Sequence, residues 1–240
     1  MKKSDEITIT IDGEAVSTSK DATLLQAIES TGKEIPVICF HPATTPEGIC
    51  RQCVVEVEGW RTLAPSCVTR VAEGMVVHTQ SERVTRARRT ILEMLNASVD
   101  LSEAPALLSQ MKTYKADPSR FPGAATRAQS VLDDNPFYVR DYEKCVLCWR
   151  CVQACGDDMQ YTYALSVGNR GFDSKISTFF EAPMPNTTCV FCGNCVAVCP
   201  TNALKDKTEY FLDQGLDYDE IRLKKRKERK MGVQNGGSRY

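Results

Sequence analysis

No segment of this 240-residue chain approaches the roughly 20 consecutive apolar residues needed to cross a bilayer, which argues against membrane insertion. No sign of charge predominates either: 30 basic side chains face 31 acidic ones. Whole-molecule charge therefore gives no reason to expect nucleic acid or an anionic surface as a partner. The opening residues, Met1 to Glu6, lack the apolar core of a secretion signal. A soluble, cytoplasmic protein is expected, in a compartment where thiols stay reduced. No G-x-G-x-x-G follows a strand pattern and no P-loop occurs; G-x-S-x-G and H-E-x-x-H are missing too. The chain is thus expected to have no nicotinamide, flavin or molybdopterin site of its own and to be non-catalytic by itself.

What the chain has is twelve cysteines with none left over. They fall into three quartets: Cys39, Cys50, Cys53 and Cys67; Cys145, Cys148, Cys151 and Cys155; and Cys189, Cys192, Cys195 and Cys199. Clustered C-x-x-C runs in a reducing compartment suit a shared metal better than disulfides.

The second and third quartets repeat one motif, C-x2-C-x2-C-x3-C. Pro200 follows the last cysteine of the second copy, while Gly156 stands in that place in the first. Such a run brings three thiolates to three corners of a cubane. In two-cluster ferredoxins the fourth cysteine of each run ligates the other cluster. The expected [4Fe–4S] ligand sets are therefore Cys145, Cys148, Cys151 with Cys199, and Cys189, Cys192, Cys195 with Cys155. Structural zinc needs at most two C-x-x-C pairs, not a third cysteine in step and a fourth three residues on, done twice. Trp149 and Phe191, inside the runs, are read as apolar cover for the sulfurs. The stretch from Gly156 to Thr188 is an insertion between the copies.

The first quartet does not match the plant-type C-x4-C-x2-C spacing, and one C-x-x-C with two distant cysteines is in isolation compatible with zinc. Its context is a sheet. Ile7–Ile11 alternates, Asp12-Gly13 is a hairpin signal, and Glu14-Ala15-Val16 begins the return strand. A short helix follows, with Asp21 as N-cap, Leu24, Leu25 and Ile28 as its apolar face and Gly32 as its stop. Strands are expected again at 54–59 and 75–78. His41 is read as fixing its loop through a hydrogen bond rather than as a ligand. From Ser81 the period becomes helical: Val84, Ile91 and Leu95 form an apolar stripe, with Arg83, Arg86, Arg88, Arg89 and Glu93 on the polar side.

The loop Cys39-Phe40-His41-Pro42 with Gly48-Ile49-Cys50-Arg51-Gln52-Cys53 resembles the [2Fe–2S] domain that opens the large iron–sulfur subunit of NADH dehydrogenase, NAD-dependent formate dehydrogenases and iron hydrogenases. Arg88-Arg89-Thr90-Ile91-Leu92-Glu93-Met94-Leu95 resembles the helix that follows it. Asn135–Asp141, Asn169–Asp173 and Cys189–Cys195 resemble segments of the dicluster region of formate dehydrogenase catalytic subunits. The family's additional His-x3-Cys-x2-Cys-x5-Cys site has no counterpart, since 97–135 holds neither histidine nor cysteine. The resemblance implies an α+β fold: a β-grasp [2Fe–2S] ferredoxin-like domain (1–80) held by Cys39, Cys50, Cys53 and Cys67, a helical connector (81–134), a 2[4Fe–4S] ferredoxin domain (135–210) and a charged, flexible tail (211–240). It implies one [2Fe–2S] and two [4Fe–4S] clusters in an electron-transfer subunit of a hetero-oligomer. Electrons would pass between a molybdopterin-type, formate dehydrogenase-like catalytic subunit on a separate polypeptide and a flavin/NAD-binding subunit. The alternatives are the same relay in an NADH-linked iron hydrogenase or NADH dehydrogenase-like complex, and a free multi-cluster ferredoxin. The basic run Arg222–Lys230 lacks interleaved aromatics and is read as a solvated or partner-facing helix, not a nucleic-acid site.

Overall fold

The computed structural model describes residues 6–235. Residues 1–5 and 236–240, the latter the end of the expected flexible tail, lie outside them. The chain divides between Thr126 and Arg127 into two compact units.

In the first unit, strands β1 (Glu6–Ile11) and β2 (Glu14–Ser19) form an antiparallel hairpin. Its turn is made by Asp12 at φ 51° and Gly13 at φ 89°, the left-handed pair that matches strand twist. Helix α1 (Leu24–Glu29) follows, then β3 (Val54–Val57), β4 (Ala64–Pro65) and β5 (Val76–His78). The sheet order is β2-β1-β5-β3-β4, with β1 parallel to β5 and the other pairs antiparallel. Ile9 and Ile11, on the face selected by the strand alternation, pack with Leu24, Leu25 and Ile28 of α1 and with Val55, Val57 and Val77. This mixed sheet with one helix laid across it is the β-grasp arrangement.

The N-cap of α1 is Thr23 rather than Asp21. Thr23 accepts from the Gln26 N–H while the Gln26 side chain accepts from the Thr23 N–H, a reciprocal box that Asp21, two residues earlier, does not form. Helix α2 (Glu82–Ser98) is capped by Ser81 and helix α3 (Pro105–Thr113) begins on its proline. The expected polar side of α2 needs correction. Arg88 and Glu93 are buried, whereas Met94 is 58% exposed. The reason is tertiary: α2 packs against β3 and also against α3, so two of its sides are covered. Glu93 accepts from Arg120 (2.6 Å) and from the Asp117 N–H (3.0 Å).

In the second unit, β6 (Tyr138–Arg140) pairs antiparallel with β9 (Leu204–Asp206), joining the beginning and end of the cysteine-rich region. Between them lie α4 (Arg150–Cys155), the hairpin of β7 (Ser166–Gly168) and β8 (Lys175–Ser177), and α5 (Asn194–Ala197). Helix α6 (Lys207–Asp213) spans the expected boundary at 210, and the expected tail (211–240) holds helix α7 (Tyr218–Asn235). Contacts that dock α7 include buried Ile221, the Lys224 ammonium 4.1 Å from the Phe211 ring centroid, Lys225 donating to the Thr208 hydroxyl at 2.8 Å, and Glu228, 2.7 Å from Lys207. Arg222, Lys224, Arg226 and Lys227 remain exposed, while one apolar residue and aliphatic lysine stems seat the helix. Among the described residues no helix is long and apolar enough to cross a membrane.

Candidate metal centres

The first quartet is assembled by the sheet and by the start of α1. Cys53 immediately precedes β3, and Ser66 donates to its carbonyl from both its hydroxyl (2.8 Å) and its N–H (3.3 Å). Pairing of Val54 with Pro65 then brings Cys67 beside Cys53, with the sulfurs 3.4 Å apart. The first turn of α1 holds the same loop from the other side. Leu24 N–H donates to the Thr69 carbonyl (2.8 Å) and Leu25 N–H to that of Ser66 (3.0 Å). Cys39 N–H donates to Cys50 Sγ at 3.4 Å. The loop between them turns at Gly48 (φ 64°), where a Cβ would meet Val68 Cγ2 at 2.9 Å, so only glycine fits. His41 keeps the loop in shape, its Nδ1 accepting from the Ala43 N–H and its carbonyl from the Thr44 N–H.

These thiols share protons. The Cys39 thiol donates to Cys50 and holds it down at about 6. The thiol–thiol hydrogen bond with Cys67 holds Cys53 at about 7. Cys39 and Cys67 are themselves pushed up, each first by its thiol partner and then by burial. Cys67 also feels the charges of Cys39 and Cys50, so the two pairs form one electrostatic group. A site that stabilises thiolates in this way is suited to metal, because the thiolate is the ligating form. Gln52, between Cys50 and Cys53, is fully buried, and neither of its amide atoms has a partner among the described residues.

The second unit shows the backbone that a C-x2-C-x2-C run requires. Leu147 (φ 52°) and Phe191 (φ 55°) stand two residues after the first cysteine of their copies; Trp149 (φ 67°) and Gly193 (φ 82°) follow the second cysteine. The same two positions are left-handed in both copies, which curls each run around its sulfurs. Leu147 N–H donates to Cys145 Sγ and Phe191 N–H to Cys189 Sγ, each at 3.4 Å.

Two cavities result. One, about 330 Å³ counted with its mouth, is lined by Cys145, Cys148, Cys151 and Cys199, with Tyr142, Trp149, Ile176 and Pro200 among its walls. The other, about 300 Å³, is lined by Cys155, Cys189, Cys192 and Cys195, with Tyr138, Thr162 and Met184. Each combines three thiols of one run with the fourth of the other. Four thiols around such a space have the donor chemistry of an iron–sulfur cluster, so the residues fit that group.

Burial pushes Cys145 up to about 11 and Cys148 and Cys195 up to about 12, and Cys151 well above the ordinary thiol range. Thiols of this kind lose their protons when metal binds. Trp149 is 38% exposed and walls the first cavity. Phe191 packs on Phe137 with ring centroids 5.1 Å apart.

Sequence reading missed the polar groups around Cys155 and Cys189. The insertion folds back so that Ala164 N–H lies 3.2 Å from Cys155 Sγ and the Thr162 hydroxyl 3.3 Å from it. Tyr138 Oη lies 3.4 Å from Cys189 Sγ. Gly156, where the other copy has proline, permits this return: a Cβ there would press on Tyr163 and on the Val152 carbonyl, both at 3.3 Å.

Comparison with known proteins places this geometry. Residues 4–82 match the 2Fe-2S iron-sulfur cluster binding domain, and residues 138–203 match the 4Fe-4S dicluster domain. The NADP-reducing hydrogenase subunit HndD of Solidesulfovibrio fructosivorans is 38% identical over 215 residues, covering 82% of this chain and 36% of its own. The mitochondrial 78 kDa subunit of NADH-ubiquinone oxidoreductase from Candida albicans is 33% identical over 218 residues, covering 88% and 30% respectively. This chain spans about a quarter to a third of the length of the curated relatives it matches. Among solved structures, a chain of an NAD+-reducing [NiFe]-hydrogenase in the H2-reduced state aligns with a TM-score of 0.75 at 29% identity, over 84% of this chain and 87% of that one. The chain is therefore an iron–sulfur protein with a domain for one [2Fe–2S] cluster followed by a domain for two [4Fe–4S] clusters, homologous to the iron–sulfur region of the G-type subunits of NADH-quinone oxidoreductase and of the hydrogenase protein HndD.

Proposed function

We propose that this chain is the electron-relay subunit of a cytoplasmic hetero-oligomeric oxidoreductase, non-catalytic alone. In this reading Cys39, Cys50, Cys53 and Cys67 hold the [2Fe–2S] cluster. Cys145, Cys148, Cys151 and Cys199 hold one [4Fe–4S] cluster, and Cys155, Cys189, Cys192 and Cys195 hold the other. The observation that carries the reading is the pair of four-thiol cavities, each completed by a cysteine of the opposite run. Bound clusters supply one-electron chemistry, while the protein supplies position, hydrogen bonds and charge. Replacing Cys155 with serine tests the exchange: it disturbs the cluster on Cys189, Cys192 and Cys195, and damage confined to the Cys145 run would contradict it.

One end of the relay faces a flavin/NAD(H)-binding subunit, as the relatives' NAD(P)-linked names suggest. For the other end, the segments Asn135–Asp141 and Asn169–Asp173 support a molybdenum or tungsten catalytic subunit of formate dehydrogenase type. The 38% identity to a hydrogenase subunit supports a hydrogen-activating one instead. Purification of the native complex followed by metal analysis separates them. Molybdenum or tungsten in stoichiometric amount supports the first; nickel, or extra iron with hydrogen uptake, supports the second. Elution of the active chain alone, near 26.7 kDa, would replace both with a freely diffusing ferredoxin. Colourless, zinc-loaded protein would remove the relay altogether.

A further inference from the structure

Arg88 is a buried cation with no carboxylate partner among the described residues. Its side chain is fully buried in α2. Nη1 donates to the Tyr114 hydroxyl and Nη2 to the Val54 carbonyl, each at 2.8 Å, and the guanidinium carbon lies 5.7 Å from the Tyr114 ring centroid. Nε has no partner, and among the described residues no acidic side chain pairs with the group. Burial pulls the guanidinium below its ordinary pKa, and the groups that oppose that pull are Tyr114 and Cys53.

An unpaired guanidinium is a costly thing to bury, and nothing in the packing of α2 on β3 calls for a charge; a methionine would fill the space. Neutral partners satisfy only some of its donors. The missing negative charge is close at hand. Val54, whose carbonyl Arg88 holds, directly follows Cys53, so the guanidinium nitrogen lies no more than roughly 12 Å from that sulfur by backbone dimensions.

We propose that Arg88 is the internal counter-cation of the [2Fe–2S] centre, a positioning residue that raises its reduction potential. The inference rests on the assignment of Cys39, Cys50, Cys53 and Cys67 to that cluster. Four thiolate ligands leave the centre anionic, and accepting an electron adds one more negative charge. A fixed positive charge nearby therefore favours the reduced form, net charge being one of the determinants of potential. At an effective dielectric near 20, a unit charge about 12 Å away changes an equilibrium constant about tenfold. The site is buried, so the effect persists at high salt. Tyr114 and the Val54 carbonyl hold the guanidinium in place and make Arg88 more than a diffuse charge.

The test is a potentiometric titration of the full-length, cluster-loaded protein, followed by the electron paramagnetic resonance signal of the reduced [2Fe–2S] centre. At the wild-type midpoint, Arg88→Met should lower the reduced-to-oxidised ratio about tenfold, a downward shift of about 59 mV for a one-electron couple. Arg88→Lys should recover most of the ratio, Tyr114→Phe should leave it within about threefold of wild type, and the [4Fe–4S] centres should not move. A ratio within twofold of wild type in Arg88→Met overturns the proposal, as does an equal loss in Arg88→Met and Arg88→Lys. If Arg88→Met fails to hold the cluster, retention by Arg88→Lys supports the proposal and loss from both overturns it. Absence of any [2Fe–2S] signal in the wild type would instead remove the cluster assignment on which the proposal rests.

Discussion

Tyr138→Phe deletes one oxygen from the wall of the cavity lined by Cys155, Cys189, Cys192 and Cys195. That oxygen lies 3.4 Å from Cys189 Sγ. The ring is 2% exposed and packs against Phe191 with centroids 6.3 Å apart, so a phenylalanine keeps the packing. Burial first, and then the neighbouring Cys195 and Cys189 thiolates, push the Tyr138 hydroxyl above its ordinary pKa, so it remains a proton donor at any working pH. A hydrogen bond to sulfur is stronger when the cluster has gained an electron, and only that difference enters the potential. Taking it as about 0.5–1.4 kcal/mol, within the range for a single hydrogen bond, the conversion of 59 mV per tenfold for a one-electron couple gives a fall of about 20–60 mV. The assay is an electron paramagnetic resonance-monitored redox titration of the two [4Fe–4S] centres. Thr162→Val, which removes the hydroxyl 3.3 Å from Cys155 Sγ, must move the same centre in the same direction. Shifts in different centres would refute the reasoning, because Cys155 and Cys189 would then not share a cluster. No shift in either variant would show that these hydroxyls do not bond the bound cluster.

Asp12 accepts from the Thr79 N–H and hydroxyl, both at 2.7 Å, and from Lys33 at 3.1 Å. Its partial burial pulls the carboxyl upward, but these bonds outweigh burial and hold it below the ordinary carboxylate range. A depressed folded-state pKa stabilises above the unfolded value of about 3.9 and is lost as pH falls through the folded one. Asp12→Asn, which keeps the turn conformation, should therefore cost about 1 kcal/mol at pH 7. That difference should close below about pH 4, read by urea unfolding in far-ultraviolet circular dichroism; a gap that widens in acid would reverse the sign. Lys207 is 3% exposed and bridges Asp133 (2.5 Å), Glu228 (2.7 Å) and the Asn135 carbonyl (2.9 Å). Breaking a buried pair costs about 3–5 kcal/mol, but both carboxylates can rehydrate, so Lys207→Met should cost about 2 kcal/mol. Limited proteolysis should then cut first in α7, which loses its Glu228 contact; unchanged cleavage would show that its other contacts suffice to hold it.

Each unit was legible in the sequence through the force that holds it together. The first has a sheet core of its own. Alternation at Ile7, Ile9 and Ile11, the Asp12-Gly13 turn and the Leu24, Leu25, Ile28 stripe therefore marked real elements. What stayed hidden there depends on distant partners. The parallel pairing of β1 with β5 joins residues more than sixty positions apart, and two-residue β4 exists only because β3 offers it an edge. Arg88 and Glu93 looked like solvent-facing charges because helical periodicity describes one covered face, and α2 has two.

The second unit has a core in which buried cysteines are interspersed with few aliphatic side chains, and its elements are three to seven residues long up to α6. Periodicity had little to act on, and β6, β9 and the β7–β8 hairpin could not be read from it. The cysteine spacing was readable because covalent reach to a shared cluster leaves little freedom. The backbone bears the same mark. Left-handed residues recur at matching positions of both runs, with Gly193 in one copy and Trp149 in the other. A tryptophan held there costs on the order of 1–2 kcal/mol, and buried thiols without metal add the penalty of a poorly filled cavity. Binding of metal to these thiolates offsets both costs and so contributes to the folding of this unit. The first unit, with its own sheet and helix, has much less need of that contribution. Iron chelation under reducing conditions should accordingly loosen residues 138–206 well before it loosens the β-grasp sheet, as read by hydrogen exchange. If both units opened together, the difference in legibility between them would not reflect a difference in what holds them.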